Sequence, residues 1–201
     1  MNSGKKPVFT VIAGINGAGK TSLYRVLKGE RDLGMRINTD EIAASLGDPR
    51  DPITQFRASK QAVLLMDRYI SEKTSFHVET TFSGGATQRH LKIAKQNGFY
   101  SHLYFIGVDN VEIALDRVHR RMANGGHGIA DSYIISKYNA MNGRLHVLLP
   151  LFDEVHLYDN TDAFRQIAVL KDGRFLDCDS KPPFWFLQLG NFSEINENNE
   201  S

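Results

Sequence analysis

GINGAGKT, at residues 14–21, is the stretch that decides the fold of this chain, because it is a complete phosphate-binding loop. An apolar run at residues 8–13 comes directly before it, as is typical of a buried parallel strand. A helix-compatible stretch at residues 22–28 follows it, so the N-terminus of that helix would point at a bound anion. Strand, loop and helix together predict a site for a nucleoside triphosphate.

The fixed positions of this loop each have a physical role. Gly14 and Gly19 permit backbone conformations that are closed to residues with a Cβ, so successive N–H groups can turn inward around a phosphate. Lys20 reaches the β- and γ-phosphates, and the Thr21 hydroxyl can complete the shell of a Mg²⁺ ion. The predicted cofactors are therefore ATP and Mg²⁺, with Thr21 as the metal ligand. The residues expected to bind the nucleotide are Gly14, Asn16, Gly17, Ala18, Gly19, Lys20, Thr21 and Ser22.

The composition of the chain is that of a soluble globular protein, with 201 residues, 41% hydrophobic and 23% charged. The formal net charge of +1 gives no global field that would recruit nucleic acid or an anionic membrane. No window approaches the ~20 apolar residues that a membrane span needs. The single cysteine, Cys178, excludes an internal disulfide and fits a reducing cytoplasm. We therefore expect a cytoplasmic protein without a nucleic-acid or membrane partner.

Predicted strands alternate with predicted helices, which indicates an α/β P-loop kinase fold with a mostly parallel sheet and helices on both faces. The Asp172-Gly173 pair between two apolar runs predicts a C-terminal hairpin. Residues 1–180 are expected to form one kinase domain with a lid near 117–137, and residues 181–201 a tail with a disordered end. Further strands are expected at 35–38, 76–79, 101–108 and 154–158, and helices at 40–46, 56–70, 87–96, 111–122 and 131–148.

Several local features are specific enough to be checked. Thr39 is expected to cap the helix that begins at Asp40. Phe56 and Met122 are expected on the buried stripes of their helices. The apolar segment 182–186 is expected to dock on the body of the protein.

Two carboxylates follow strands at the edge of the sheet where ligands of open α/β proteins bind, Asp40 after the second strand and Glu79 at the end of the third. Asp40 suits a group that orients or deprotonates an acceptor hydroxyl in phosphoryl transfer. It would serve equally as a first-turn acid that complements the helix dipole. Glu79 could orient the acceptor, hold Mg²⁺ through water, or pair with a nearby arginine.

Arg117 and Arg121 lie four residues apart, on one face of a predicted helix. Guanidinium groups suit the charge that is spread over a transferring phosphoryl group, whereas the alternative is a solvated basic face. The Gly-rich segment 124–128 follows directly and predicts the hinge of a lid that closes over the nucleotide.

Several segments together resemble the zeta-toxin family of P-loop kinases, especially its compact bacterial members. The resemblance covers most of residues 8–160. Besides the phosphate loop, it depends on NTDEIA at 38–43, ETTFSG at 79–84, RVHRR at 117–121 with GGH at 125–127, and YDNT at 158–161.

The resemblance implies an ATP-dependent kinase that phosphorylates a hydroxyl of a UDP-activated amino sugar, typically UDP-N-acetylglucosamine. It implies that Asp40 is the base, that Glu79 orients the substrate, and that Lys20 clamps the phosphates with the lid arginines Arg117 and Arg121. Compact relatives carry an arginine where this chain has Lys137, which keeps the charge but loses the planar fork. The residues assigned to the substrate are Asp40, Glu79, Thr80, Thr81 and Lys137.

The family often includes an antitoxin that blocks the nucleotide site. Seven residues precede the first strand, too few for a fused helical inhibitor, so a separate antitoxin protein is the expected source of any restraint.

Three alternative functions stay open. The first is a kinase of another hydroxylated small molecule, such as an antibiotic or a free sugar, because the fold does not fix the substrate. The second is a nucleotide-dependent binding module, which would not require paired acids at strand ends. The third is a polynucleotide kinase, which the near-neutral charge disfavours.

Overall fold

The computed structural model describes residues 6–82, 85–125 and 128–189. Within these ranges the chain forms a seven-stranded sheet in the order β2-β3-β1-β4-β5-β6-β7. The strands are β1 (Val8–Ala13), β2 (Met35–Ile37), β3 (Phe76–Thr80), β4 (Tyr100–Gly107), β5 (Glu154–Asp159), β6 (Arg165–Lys171) and β7 (Arg174–Cys178). The α-helices are α1 (Lys20–Glu30), α2 (Thr39–Leu46), α3 (Pro52–Ser71), α4 (Ala86–Gln96), α5 (Val111–Ala123), α6 (Asp131–Leu148) and α7 (Phe184–Leu187), and a 3₁₀ turn spans Leu149–Leu151.

The first five strands are parallel to one another, which confirms the predicted α/β fold with a mostly parallel sheet. Phe9, Val11 and Ile12 of β1 are fully buried, because the central strand is covered on both faces. Strands β6 and β7 add to the far side as an antiparallel hairpin. Its turn residues Asp172 and Gly173 both have positive φ, 49° and 76°. The predicted hairpin is therefore present, and it extends the sheet.

The cap of α2 differs from the sequence prediction. Asn38, not Thr39, caps the helix, because its side-chain oxygen accepts hydrogen bonds from the backbone N–H groups of Asp40 and Glu41. Thr39 is the first helical residue. Gly47 ends the helix, as expected. Asn38 therefore fixes the entry of the chain into the helix that carries Asp40.

The prediction that Phe56 and Met122 are buried is wrong. Phe56 is 70% exposed and Met122 is 40% exposed. The buried stripe of α3 repeats every four residues, and Phe56 lies two positions from it, roughly 200° around the helix. That stripe consists of Thr54, Ala58, Ala62, Met66 and Ile70, with Tyr69 beside it.

The apolar segment near the C-terminus docks on the body, as the sequence predicts. Trp185 is fully buried, and its indole covers Gly107, where an added Cβ would lie 2.2 Å from Trp185 Cε2. Its Nε1 donates to Asp159 Oδ1 at 3.0 Å, and its backbone N–H donates to Asp109 Oδ1 at 3.0 Å. Both acceptors follow or end central strands, so this segment braces the edge of the sheet where the phosphate loop lies. The proposed division of the chain at residue 180 stays a prediction.

None of the helices in the three described ranges combines the length and the apolar character that crossing a bilayer requires.

Candidate active site

The phosphate loop connects β1 to α1, and glycine is required at two of its positions by close contacts with neighbouring elements. Gly17 has φ of 84°, and a Cβ there would lie 2.4 Å from the carbonyl oxygen of Ala114 on α5. Gly14 has φ of 149°, and its Cβ would lie 2.6 Å from the carbonyl oxygen of Ile106 on β4. Backbone packing therefore holds the loop in shape.

Asn160, directly after β5, fastens the loop from the other side. Its Nδ2 donates to the carbonyl oxygen of Ala18 at 2.8 Å, and its backbone N–H donates to Gly107 O at 3.0 Å. In the sequence this residue has no predicted role beyond its place in the YDNT segment. A polar amide immediately after a strand at the ligand edge of the sheet is the signal that could have identified it.

Lys20 folds back over the loop, with Nζ 2.8 Å from the carbonyl oxygen of Gly14 and 3.0 Å from that of Ile15. Burial lowers the pKa of Lys20 to about 8. The carboxylates of Glu79 and Asp40 act in the opposite direction, and Arg121 adds to the lowering. The ammonium group thus lies within the electrostatic reach of both candidate acids and of one candidate arginine.

One cleft, with a volume of about 1010 Å³, brings most of the predicted site residues together. Its lining includes Asn16, Gly17, Gly19, Lys20, Thr21, Ser22, Asp40, Glu79, Thr80, Thr81, Arg117 and Arg121. Gly14 and Ala18 belong to the same loop but do not line the cleft. Lys137 does not line it either. Its Nζ lies 4.7 Å from the ring centroid of Tyr133, which does line the cleft.

Glu79 is held by two side chains from β2 and its C-terminal end. Arg36 Nη2 lies 2.6 Å from Glu79 Oε1, and Asn38 Nδ2 donates to the same oxygen at 3.2 Å. The Glu79 side chain is 7% exposed, so its carboxylate requires such partners. Of the three roles left open for Glu79, the structure therefore shows the arginine pair, and the other two remain compatible with it.

Arg36 connects four elements around the cleft, although it belongs to none of the sequence motifs that predicted the site. Besides Glu79 on β3, it contacts Glu41 Oε1 on α2 at 2.7 Å and lies 3.9 Å from the ring centroid of Tyr24 on α1. Alternation along an extended segment places residues two apart on one side, so Arg36 and Asn38 could have been expected to face the same neighbour.

Asp40 is an exposed residue in the first turn of α2 that lines the cleft. Its position suits both roles that the sequence left open, a base for an acceptor hydroxyl and an acid that complements the helix dipole. Thr21 lines the cleft one residue after Lys20, and its hydroxyl is an oxygen donor of the kind that Mg²⁺ prefers.

The arginines of α5 are divided between the cleft and the surface. Arg117 Nη2 donates to the carbonyl oxygen of Thr161 at 3.2 Å, whereas its buried Nη1 has no hydrogen-bond partner within the described ranges. Arg121 lines the cleft and is exposed. Arg120 instead forms a surface pair with Asp116 at 2.8 Å. A buried guanidinium N–H without a partner, beside a phosphate loop, is a donor suited to an anionic oxygen. His127 and Gly126 of the predicted hinge lie outside the described residues.

Comparisons with known proteins place this geometry in context. A sequence model of the zeta toxin family matches residues 1–167. An uncharacterized protein of Haemophilus influenzae is 34% identical over 125 residues, which cover 62% of this chain and 88% of that protein.

Three solved structures share the fold. The PezAT chromosomal toxin-antitoxin system of Streptococcus pneumoniae matches with a TM-score of 0.64 and 18% identity, over 100% of this chain and 90% of that chain. The AvrRxo1-ORF1:AvrRxo1-ORF2 complex with sulphate ions, also solved with ATP, has a TM-score of 0.64 and 17% identity over 97% of this chain and 64% of that chain. The Pnkp1/Rnl/Hen1 RNA repair complex has a TM-score of 0.60 and 18% identity over 71% of this chain, which spans only 46% of that chain.

Proposed function

The chain belongs to the zeta toxin family, and we propose that it transfers the γ-phosphoryl group of ATP to a hydroxyl of a UDP-activated amino sugar such as UDP-N-acetylglucosamine. The observation that supports this most directly is that one cleft of about 1010 Å³ contains both the phosphate loop and the acids Asp40 and Glu79. This volume lies at the top of the range of about 300–1,000 Å³ that is typical of ligand pockets, which favours a site for two substrates.

ATP is proposed to bind with its phosphates in the loop. The loop N–H groups, Lys20 and the N-terminus of α1 supply positive potential at one end of the cleft. Arg117 and the exposed Arg121 line the same cleft, and their guanidinium groups can neutralise charge on the transferring group. The ATP complex of the AvrRxo1 pair, which shares this fold, is consistent with that assignment. A Mg²⁺ ion would be held by the Thr21 hydroxyl with phosphate oxygens and water, and would offset charge on the β- and γ-phosphates.

The transfer step requires a base within reach of the acceptor hydroxyl. We assign this role to Asp40, which lines the cleft as an exposed carboxylate. Asp40 takes the proton of the hydroxyl, and the oxygen then forms a bond to the γ-phosphorus. The bond from that phosphorus to the β-γ bridging oxygen breaks, and ADP leaves.

The acceptor is proposed to lie along the wall formed by Asp40, Glu79, Thr80 and Thr81. All four line the cleft, and their side chains offer oxygens for the hydroxyl groups of a sugar. The UDP-sugar class itself comes from the family resemblance. Lys137 is proposed to contribute only through its contact with Tyr133 or after a movement of α6, since it does not line the cleft.

A separate antitoxin is the proposed protein partner. The structural relative from Streptococcus pneumoniae is a toxin-antitoxin system, and the AvrRxo1 relative is a complex of two proteins. A partner that covers the cleft would restrain this chain by excluding ATP.

The test is an assay of the purified protein with ATP, Mg²⁺ and a panel of UDP-sugars. We expect one sugar nucleotide to gain about 80 daltons, the mass of one phosphoryl group. Lys20→Ala should abolish the gain, whereas Lys60→Ala, on the exposed face of α3, should not. ATP consumption with no modified UDP-sugar would overturn the acceptor assignment in favour of another hydroxylated molecule. No ATP turnover with any acceptor would overturn the kinase assignment in favour of a nucleotide-dependent binding module.

A further inference from the structure

We propose that Asn38 is a positioning residue that holds the two acids of the cleft in one arrangement, an inference that rests on the proposed kinase function. Its side chain is the only amide in the described ranges that contacts both the turn carrying Asp40 and the carboxylate of Glu79. The two acids come from different elements, α2 and β3. The backbone pairing of β2 with β3 ends at Ile37 and Val78, one residue before Asn38 and Glu79, so the Asn38 amide extends the connection beyond the end of that pairing.

Hydrogen-bond chemistry fixes the orientation of this amide. The Asn38 side-chain oxygen accepts from the backbone N–H groups of Asp40 at 3.0 Å and Glu41 at 3.3 Å. Only the oxygen of an amide can accept hydrogen bonds, so Nδ2 must point the other way. It lies 3.2 Å from Glu79 Oε1. Both ends of the amide are therefore engaged, one by the helix N-terminus and the other by the carboxylate.

The two partners of Glu79 contact only one of its two carboxylate oxygens. Arg36 and Asn38 both contact Oε1, and among the described residues none is hydrogen-bonded to Oε2. Oε2 is therefore the oxygen that can accept a hydrogen bond from a ligand in the cleft. Arg36 supplies the opposite charge for the buried carboxylate, and Asn38 supplies the short link to the helix of Asp40.

Arg36 also reaches α2, through Glu41, but that link is weaker. The Glu41 side chain is 61% exposed, and an exposed ion pair fixes little geometry. Loss of the Asn38 amide should therefore let α2 and β3 shift relative to each other even with Arg36 in place. A displacement of about 1 Å in a reacting group can reduce a rate by about 100-fold.

The decisive variant is Asn38→Asp. Aspartate caps a helix about as well as asparagine, but it places an oxygen where Nδ2 faces Glu79. We expect the acceptor kcat/KM to fall by about 100-fold, mainly through kcat, while ATP affinity is unchanged. The matched control is Asn110→Asp, because Asn110 caps α5 through Ile113 N–H and contacts neither acid. Wild-type kinetics for Asn38→Asp would overturn the proposal.

A second measurement does not depend on the substrate. Thermal unfolding is compared for Asn38→Asp with and without Glu79→Gln. We expect Asn38→Asp to lower the midpoint by about 2–4 °C beside Glu79 and to leave it unchanged in the Glu79→Gln background. Equal shifts in both backgrounds would overturn the contact and the proposal with it. A wild-type protein that phosphorylates no UDP-sugar would overturn the proposed function alone, and the unfolding comparison would still decide whether Asn38 holds Glu79.

Discussion

The two walls of the cleft are built by different means. The phosphate-loop wall is held mainly through its own backbone: Gly14 and Gly17 pack against carbonyl groups of neighbouring elements, and the carbonyl of Ala18 accepts a hydrogen bond from the Asn160 side chain. The acceptor wall, formed by Asp40, Glu79, Thr80 and Thr81, is held by side chains. Arg36 and Asn38 both contact the carboxylate of Glu79. The first wall therefore depends on shape, and the second depends on charge and hydrogen-bond polarity.

This difference predicts that nucleotide binding and phosphoryl transfer can be changed separately. The loop touches the acceptor wall through the backbone, where Gly14 N–H donates to Thr80 O at 3.3 Å, and its other contacts run to β4, α5 and the end of β5. A change in a side chain of the acceptor wall should therefore alter transfer with little effect on the loop. A change in the loop should weaken nucleotide binding whatever acceptor is present. Variants in each wall test whether the two really behave independently.

The largest expected effect is that of Asp40→Asn in the acceptor wall. Loss of a general base typically costs about 10²–10⁴-fold in rate. We expect product formation to fall by that factor, with the Kd for ATP unchanged in calorimetric titration. The control is Asp116→Asn on the surface of α5, which pairs with Arg120 away from the cleft. A normal rate in Asp40→Asn would remove Asp40 as the base.

Arg36→Gln tests whether charge balance stabilises the acceptor wall. Removing one member of a buried ion pair costs about 3 kcal/mol, because the remaining charge has no opposite charge to balance it. For a protein of this size that corresponds to a fall of about 6–12 °C in Tm. Adding Glu79→Gln should recover most of the loss, since the unpaired charge is then gone. Equal Tm values for Arg36→Gln and the double variant would show that the pair is not the source of stability.

Gly17→Ala tests the phosphate-loop wall. A methyl group at a φ of 84° that also meets the Ala114 carbonyl at 2.4 Å should cost about 3 kcal/mol through strain and displacement of the loop. That corresponds to about 100-fold in ATP affinity if the loop must regain its shape to bind. Gly29→Ala is the matched control, since its Cβ would meet no atom within 4 Å. Gly29 lies within α1, so that variant should be slightly stabilising.

The same difference explains what could be predicted from the sequence. The phosphate loop, the parallel strands and the hairpin at Asp172-Gly173 follow from local patterns, and each was predicted. An arginine partner was among the predicted roles of Glu79, but no local pattern identifies it as Arg36, which is 43 positions away in the chain. The clamp on Ala18 comes from Asn160, 142 positions away.

Two local errors have equally local causes. Thr39 and Asn38 are both good helix caps, and only the hydrogen bonds to Asp40 and Glu41 distinguish them. The predicted buried stripe of α3 includes the bulky Phe56, whereas in the structure small residues such as Ala58 and Ala62 occupy the buried face. Hydrophobic size is thus a poor guide where the buried face of a helix is formed by small side chains.

The smallest expected effect is a pH dependence of ATP affinity that originates in the phosphate-loop wall. Burial lowers the pKa of Lys20 to about 8, so the free protein carries the charged ammonium at pH 7 and loses most of it by pH 9. Bound phosphates favour the charged form, so binding above pH 8 must include uptake of a proton. We expect ATP affinity to fall about tenfold between pH 7 and pH 9.

Lys20→Arg tests whether Lys20 is the source of this effect, because arginine keeps its charge across the whole range. Its ATP affinity should be the same at pH 7 and pH 9, whatever its absolute value. The stability of the free wild-type protein should change with pH in the opposite direction from its ATP affinity. The folded state binds fewer protons than the unfolded state between pH 8 and 10.5, so the free energy of unfolding should rise through that window. Affinity that falls while Tm rises would place the titrating group on Lys20. Parallel losses of both would instead point to general unfolding of the loop and would contradict this prediction.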